Sequence, residues 1–390
     1  MKQEYKAPEA TSRKIILLVG GEDIHLRISS MQFLSEHRFR VIVLGSTAQP
    51  TIEDAGFEYH MYSLNRSLSP WSDFRTIKEL RQIITDISPT IVHSFDTKPG
   101  FMVPLSMIGI KNSSVIRTIT GMGSIFSEST LRSQILRIIY WLLHRIARIR
   151  VDFTIFQNTT DMAYFERNRL VREGEFDIIR GSGVSVPDWY GRKTQIRIEV
   201  RNELGLSDKD FIFLMVARLV RQKGVADALT AAKSVLKLAP ESKFIFVGPS
   251  GDDEPDGVSP SDFEGYGDHI RYIGRRSDVD RLLIASDVFL LPTRYREGVP
   301  RALLEALVSG ITAIVSDMPG CIEPVMDSQA GWVVPAGDVN ALSFAMKEAL
   351  NTDAVTRQEM GERGKAEVTK NYALAGVIAK TLSIYKRFTI

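Results

Sequence analysis

Short runs of β-branched and other apolar residues alternate with longer amphipathic stretches along the chain. This pattern is typical of parallel strands joined by crossover helices. In the first half we predict buried strands at Ile15–Val19, Val41–Leu44, Thr90–His93, Val115–Thr118, Phe153–Phe156 and Ile178–Ile179. In the second half we predict strands at Phe211–Val216, Lys243–Val247, Arg271–Ile273, Val288–Leu291, Thr312–Val315 and Trp332–Val334. The sequence therefore predicts an α/β fold with two similar parallel sheets.

A stretch that contains glycine and proline, Gly181–Asp188, separates the two periodic halves. We place the domain boundary there, which gives domains at 1–185 and 186–372. The length of 390 residues also exceeds what one ordinary hydrophobic core supports. Ligands of open parallel sheets bind outside the carboxyl ends of the strands, so the two sheets are expected to enclose one shared site.

Composition and charge limit which classes of protein the chain can belong to. With 44% hydrophobic and 25% charged residues the chain is typical of globular proteins, and a net charge of only +2 argues against a nucleic-acid partner. A single cysteine, Cys321, provides no disulfide framework or thiolate metal cluster and fits a reducing compartment. Met1–Ser12 does not read as a secretory signal, and no apolar run is long enough to span a bilayer. We predict a cytoplasmic protein.

The segment Glu297-Gly-Val-Pro-Arg-Ala-Leu-Leu-Glu305 directly follows a predicted strand. Pro300 is expected to start a helix, which leaves Glu297 in the loop and Glu305 about one and a half turns into the helix. Free backbone N–H groups at a helix start suit a phosphate, and nearby carboxylates suit sugar hydroxyls. The alternative is that Glu305 pairs with Arg301 on the surface and that Glu297 is simply exposed.

A basic segment, Ala217-Arg-Leu-Val-Arg-Gln-Lys-Gly224, follows the strand that ends at Val216. Arg218 as a two-pronged donor and Lys223 as a point charge could hold a diphosphate. A solvated basic loop is the alternative.

Acidic groups elsewhere in the second half are not interpreted as metal sites. The segment Gly251–Gly265 is rich in Asp, Glu, Gly, Pro and Ser and is predicted to be a solvated, mobile loop. Asp278 and Asp280 are expected to lie in the first turn of a helix, where acidic residues complement the helix dipole.

The spacing Arg218-x4-Lys223 followed by Glu297-x7-Glu305 resembles the retaining family 4 glycosyltransferases, which have the GT-B fold of two facing Rossmann-like domains. Further segments resemble the family in order: Gly274–Val279, Ser286–Pro292, Tyr295–Arg301 and Gly331–Gly337. In the first half, Gly20-Gly21, His93–Gly100 and Thr118–Gly123 resemble bacterial members that build surface polysaccharides or lipid-linked glycans.

The resemblance implies transfer of a hexose or N-acetylhexosamine, with retention, from a nucleotide-diphosphate sugar to a saccharide or polyprenyl-linked acceptor. It implies UDP as the nucleotide, no cofactor and no metal, and a C-terminal helix at about 373–390 that packs back on the first domain. The catalytic residues implied are Arg218, Lys223 and Glu297. The donor-binding residues implied are Gly20, Gly21, Arg218, Lys223, Gly274, Arg275, Glu297, Gly298, Val299 and Glu305, and the acceptor-side residues are His93, Lys98 and Gly121. Thr120 stands where many relatives have a histidine and is assigned no catalytic role.

Two other functions stay open at this point. A nucleotide-sugar epimerase can share the two-sheet architecture and needs no second substrate. A non-catalytic membrane-surface scaffold is suggested by Leu131–Arg150, where five arginines stand among Ile and Leu at helical spacing. The same segment predicts peripheral association of an enzyme with the anionic inner face of the cytoplasmic membrane, and a helix packed on its own sheet with its arginines in water is the alternative.

Overall fold

The computed structural model describes residues 13–65, 69–127, 130–187, 189, 191–252, 254 and 256–389. The expected lack of an export signal in Met1–Ser12 concerns residues outside these ranges. So do the last residue of the predicted linker, Asp188, and two residues of the acidic segment, Asp253 and Pro255.

Within the described residues, the first half of the chain forms a parallel sheet of seven strands in the order β3-β2-β1-β4-β5-β6-β7. The strands are β1 (Ile15–Val19), β2 (Arg40–Gly45), β3 (Glu58–Met61), β4 (Ile91–Phe95), β5 (Ser114–Ile119), β6 (Phe153–Phe156) and β7 (Phe176–Ile178). The helices are α1 (Ile28–Glu36), α2 (Pro50–Asp54), α3 (Pro70–Ile87), α4 (Pro99–Ser106), α5 (Leu131–Ala147) and α6 (Thr159–Arg167).

The second half forms a parallel sheet of six described strands in the order β10-β9-β8-β11-β12-β13. The strands are β8 (Phe211–Val216), β9 (Ser242–Val247), β10 (Ile270–Tyr272), β11 (Val288–Leu291), β12 (Thr312–Ser316) and β13 (Gly331–Val334). The helices are α7 (Lys193–Glu203), α8 (Val225–Leu236), α9 (Val279–Ala285), α10 (Arg301–Val308), α11 (Ile322–Ser328), α12 (Val339–Asn351), α13 (Ala354–Asn371) and α14 (Leu374–Arg387).

The strands are apolar throughout because helices cover both faces of each sheet. In β1, Ile16 and Leu18 join one core cluster while Leu17 and Val19 join the cluster on the opposite face. This two-sided burial is the pattern that the sequence showed, and the two predicted parallel sheets are confirmed. The strand that the sequence did not predict, Glu58–Met61, lies at the sheet edge and exposes most of its side chains.

The chain passes between the two sheets twice, at neighbouring points. The Val184 N–H donates to the Tyr372 carbonyl (3.1 Å), and the Leu374 N–H donates to the Val184 carbonyl (2.9 Å). After the second passage, α14 packs on the first sheet, where Val377, Leu382 and Tyr385 share a core cluster with β1. The boundary at residue 185 itself stays a prediction.

Candidate active site

A cleft of about 520 Å³ lies between the carboxyl ends of the two sheets. The first half lines it with the loops that follow β1, β4 and β5, and the second half with the loops that follow β8, β9 and β11. This is the position that the rule for parallel sheets predicts for a ligand. Of the residues implied by the sequence, the cleft is lined by Gly21, Lys98, Gly121, Arg218, Lys223, Glu297, Gly298 and Val299.

Lys223 and Glu297 form an ion pair inside the cleft. The Lys223 Nζ lies 2.7 Å from Glu297 Oε2, and the two side chains are only 19% and 12% exposed. The ammonium also lies 5.6 Å from the ring centroid of Tyr295. Glu297 Oε1 is buried and has no hydrogen-bond partner among the described residues. An ammonium has three protons, so Lys223 can hold Glu297 and still donate to a phosphate oxygen, while Glu297 Oε1 can accept from a sugar hydroxyl.

The turn that carries Lys223 depends on Gly224. The segment Arg221–Lys223 is a short 3-10 helix, and Gly224 ends it with φ = 78°. A side chain at Gly224 would place its Cβ 2.0 Å from the carbonyl oxygen of Pro292. Glycine is therefore required both by the left-handed backbone and by the contact with the loop after β11.

Arg218 pairs across the cleft mouth with the acidic segment. Its Nη1 lies 2.7 Å from Glu254 Oε1, and both side chains are partly exposed. The predicted loop Gly251–Gly265 is solvated at described positions such as Asp262 and Glu264, but Glu254 and Asp256 line the cleft. Burial of Val258 and Phe263 anchors the segment. An exposed ion pair is weak, so a diphosphate can compete with Glu254 for the guanidinium.

Glu305 does not line the cleft. Its Oε1 accepts from Arg301 Nε at 2.8 Å, one turn earlier in α10, as the surface-pair alternative predicted. Arg301 does line the cleft, and its Nη1 donates to the Leu26 carbonyl of the first half at 3.1 Å. Helix α10 begins at Arg301, with Pro300 as its N-cap.

On the first-half side, Asp96 connects two loops of the cleft wall. Its Oδ2 accepts from the Gly21 N–H (3.1 Å) and its Oδ1 accepts from the Thr120 hydroxyl (3.0 Å). Asp96 adopts φ = 73°, a conformation that is uncommon for residues other than glycine. Sequence reasoning missed Asp96 and Thr120 as neighbours in the site, although both are polar residues that follow predicted strands.

Glycines let the two halves approach closely at the floor of the cleft. Gly121 forms an antiparallel bridge with Glu297, and a Cβ there would lie 2.7 Å from the Arg296 carbonyl oxygen. A Cβ on Gly298 would lie 1.9 Å from Gln157 Oε1 and 2.7 Å from the Thr120 carbonyl oxygen. The Val299 N–H donates to Gln157 Oε1 at 3.3 Å. The loop that carries Glu297 is therefore in direct contact with the first half.

The structure does not bring every implied residue to the cleft. His93 is 1% exposed, and its two ring nitrogens lie 2.5 Å from Tyr385 Oη and 2.7 Å from Thr118 Oγ1. Burial, and to a smaller extent the charge of Arg27, hold the pKa of His93 well below its usual value, so the ring is neutral at pH 7. Gly20, Gly274 and Arg275 also lie off the cleft lining. Gly20 instead accepts from the Tyr62 hydroxyl through its carbonyl (2.9 Å).

Lys98 lies on the cleft wall, but its ammonium is already bonded within the first half. Its Nζ lies 2.6 Å from Asp73 Oδ1 and 2.7 Å from the Asn65 carbonyl oxygen. The assignment of Lys98 and His93 to the acceptor stays a prediction, and the buried His93 fits it least.

Two family models match the chain, in the order of the two sheets. The model described as "Glycosyl transferase 4-like" matches residues 14–158, and the model described as "Glycosyl transferases group 1" matches residues 196–367. The chain belongs to these glycosyltransferases. It is a sugar-transferring enzyme with the GT-B fold, and the resemblance stated from the sequence is confirmed.

Two curated relatives of this glycosyltransferase are named as bacterial transferases. It is 26% identical to the N,N'-diacetylbacillosaminyl-diphospho-undecaprenol alpha-1,3-N-acetylgalactosaminyltransferase of Campylobacter jejuni, over 80% of this chain and 82% of the relative. It is 24% identical to the UDP-Gal:alpha-D-GlcNAc-diphosphoundecaprenol alpha-1,3-galactosyltransferase of Escherichia coli, over 95% of this chain and 94% of the relative.

Among solved structures, the glycosyltransferase is similar to Anabaena HepE in complex with UDP. The TM-score is 0.75 with 17% identity, and the match covers 95% of this chain and 99% of that one. At this identity the likeness shows the fold. Membership of the family favours sugar transfer over the epimerase and over the non-catalytic scaffold.

Proposed function

We propose that this glycosyltransferase moves a hexose or N-acetylhexosamine from a UDP-sugar to a saccharide carried on an undecaprenyl diphosphate. The relatives from Campylobacter jejuni and Escherichia coli are named for acceptors of that kind, and the second of them for UDP-Gal. HepE was solved with UDP. The observation that supports the proposal is the Lys223–Glu297 pair in the cleft. The ammonium can donate a hydrogen bond to a phosphate oxygen, and the neighbouring carboxylate can accept one from a sugar hydroxyl once its side chain turns toward the cleft.

The proposed roles of the site residues follow from the negative charge that develops on the leaving group. As the bond between the sugar and the diphosphate breaks, negative charge grows on the leaving phosphate oxygens. Lys223 and Arg218 stabilise that charge in place of a metal ion, and preorganised donors in a water-poor cleft are effective because they need no reorganisation. Glu297 orients the sugar through its hydroxyls. Retention is proposed from the family resemblance, with the acceptor hydroxyl attacking on the face that the diphosphate leaves.

The remaining donor contacts are assigned by the same resemblance. Glu305 would hold the ribose hydroxyls, and Gly274 and Arg275 would border the base. In the structure Glu305 reaches that position only if its pair with Arg301 is exchanged for the ribose. Both side chains of that pair are about one-third exposed, 36% and 30%, so the exchange costs little.

Donor recognition is tested first by binding and then by transfer. Purified full-length protein should be stabilised by UDP and UDP-sugars in a thermal-shift panel, by about 2.7 kcal/mol at 100 times Kd, and less by ADP- and GDP-sugars. Transfer to a synthetic polyprenyl-diphosphate saccharide should persist in EDTA and give a retained anomeric configuration by NMR. Conversion of the donor without acceptor would instead identify an epimerase. A panel without any stabilising nucleotide would contradict the proposal.

We also propose that α5 attaches the enzyme to the anionic inner face of the cytoplasmic membrane. Many large apolar side chains of α5 face solvent, with Ile138 66% exposed, while Ser133, Tyr140 and His144 are buried against the domain. Ile149, 67% exposed, follows just beyond the end of the helix. The exposed apolar positions of the helix recur at helical spacing: Leu131, Ile135, Ile138, Leu142 and Ile146.

The charges beside this apolar face support an anionic membrane as its partner. Arg132 and Arg145 are exposed on the same helix, and an apolar stripe flanked by arginines suits the interface of an anionic bilayer. Among the described helices, none combines the length and apolarity that a bilayer-spanning segment requires. The exposed apolar stripe on a helix that packs against the first domain supports a peripheral contact.

The Ile138→Asp variant should lose binding to anionic liposomes, because the aspartate places a charge in the middle of the apolar stripe and repels the lipid headgroups. Co-sedimentation at low salt should fall at least tenfold for this variant. Ile198→Asp, at a site 47% exposed on α7 of the other domain, serves as the matched control and should sediment like the parent protein. Equal sedimentation of both variants, or no binding by the parent protein, would contradict the membrane proposal.

A further inference from the structure

Arg296 stands next to Glu297 in sequence but is bonded to the other domain. Its Nε lies 2.8 Å from Asp161 Oδ1. Its backbone N–H donates to the Ser127 hydroxyl (3.2 Å), and its carbonyl accepts from the Gly123 N–H (3.1 Å). The side chain and both backbone groups of Arg296 are thus held by the first domain, although the chain around it belongs to the second.

Asp161 is held in place to pair with Arg296. It is fully buried in the first turn of α6, where its N–H donates to Asn158 Oδ1 at 2.8 Å. The Asn158 amide donates to Asp161 Oδ2 (3.1 Å) and lies 3.3 Å from the carbonyl oxygens of Glu297 and Gly298. Burial raises the pKa of Asp161, and the charge of Arg296 opposes that rise. A buried carboxylate of this kind needs its cation, because an unpaired buried charge is costly.

The Arg296–Asp161 pair is adjacent to Glu297, the group proposed to orient the sugar. Glu297 follows Arg296 directly, and its backbone carbonyl accepts a hydrogen bond from the same Asn158 amide that binds Asp161. Arg218 and the backbone turn that carries Lys223 lie on a different loop, after β8, where Gly224 packs against Pro292. Lys223 touches the Arg296 loop through its ion pair with Glu297. Loss of the Arg296–Asp161 bond should therefore misplace Glu297 most, while the backbone that carries the two diphosphate-holding groups stays in place.

We infer that Arg296 is a positioning residue that sets Glu297 against the donor sugar by anchoring its loop on Asp161 of the opposite domain. The inference rests on the proposed sugar transfer. Its consequence is that turnover, rather than donor affinity, depends on the Arg296–Asp161 pair.

The Arg296→Met variant should lower kcat by about 10²-fold, since a misplacement of about 1 Å can cost that much, while KM for the donor changes by less than about threefold. Arg296→Lys should recover part of kcat. Arg40→Gln, which removes an exposed pair with Glu58, is the matched control and should leave kcat unchanged. A kcat of Arg296→Met within threefold of the parent enzyme would overturn the inference.

A double variant distinguishes an effect of Arg296 on the position of Glu297 from an effect on the stability of the fold. Arg296→Met with Asp161→Asn removes the unpaired buried charge, so the Tm lost in the single variant should return while kcat stays low. Recovery of kcat together with Tm would show a purely structural role and overturn the inference.

Amide hydrogen exchange tests, without any transfer assay, whether Arg296 holds the loop that carries Glu297. Amides in residues 294–299 should exchange faster in Arg296→Met than in the parent protein and the Arg40→Gln control. Unchanged exchange would overturn the inference even if the parent protein proved inactive. Faster exchange in an inactive parent protein would support the anchoring and place the failure in the proposed sugar transfer.

Discussion

The Lys223→Ala variant is expected to lose about 10²- to 10³-fold in kcat, the range measured when one preorganised charge-stabilising donor is removed. The ammonium lies inside the cleft, 2.7 Å from Glu297, and is the most enclosed cation that the structure places beside this carboxylate among the described residues. Its removal takes away a donor to the leaving diphosphate and leaves Glu297 without its ion pair. The stabilisation of the protein by UDP should shrink as well. Steady-state transfer rates and thermal shift measure the two effects.

Lys237→Ala is the matched control for this change. Lys237 is exposed at the C-terminal end of α8 and does not line the cleft, and its truncation removes an ammonium of the same kind. It should retain the parent kcat and the parent response to UDP. A Lys223→Ala enzyme with kcat within fivefold of the parent would mean that the leaving group is stabilised elsewhere.

The Gly298→Ala variant should lose about 10²-fold in activity and about 1–3 kcal/mol in the free energy of unfolding. The added methyl would lie 1.9 Å from Gln157 Oε1 and 2.7 Å from the Thr120 carbonyl oxygen. Gln157 can rotate away only by giving up its bond to the Val299 N–H, and the Thr120 carbonyl can move only with its loop. The two halves must therefore separate at the floor of the cleft. Chemical denaturation and transfer assays measure the loss.

Gly376→Ala makes the same chemical change where there is room. Gly376 is exposed within α14, and apart from the adjacent residues and the helix's own backbone no atom of the described residues lies within 4 Å of a Cβ built there. Because alanine is the better helix former, this control should gain roughly 0.5–1 kcal/mol in stability and keep full activity. If Gly298→Ala behaved like Gly376→Ala, the close approach of the two domains would not matter for catalysis.

The sequence predicted the two sheets because the apolar pattern of a buried strand lies within the strand itself. Runs such as Phe211–Val216 are apolar on both faces, and this pattern is readable without knowing the partner strands. The edge strand Glu58–Met61 has polar, exposed positions and so lacked that signal. The same rule that places ligands beyond strand ends correctly brought Lys223 and Glu297 to one cleft.

The details of the site depend on contacts between distant segments. The sequence predicts a strand end at His93, but β4 continues to Phe95, so the histidine lies inside the sheet and contacts Tyr385 of the returning helix. The position of the acidic segment depends on the burial of Val258 and Phe263, which hold it against the cleft and which no local pattern reveals. The bond of Arg296 to Asp161 joins residues 135 positions apart, and local pattern does not encode it.

The chain crosses between the two domains at Val184 and again at Ala373, and these two crossings limit how the domains can move relative to each other. Two polypeptide segments joined by backbone hydrogen bonds form a short ribbon that bends and twists more easily than it stretches. We therefore expect the two domains to rotate about this ribbon more readily than they slide apart. In such a rotation the cleft widens most at the edge far from the ribbon, where the products of the proposed transfer can leave.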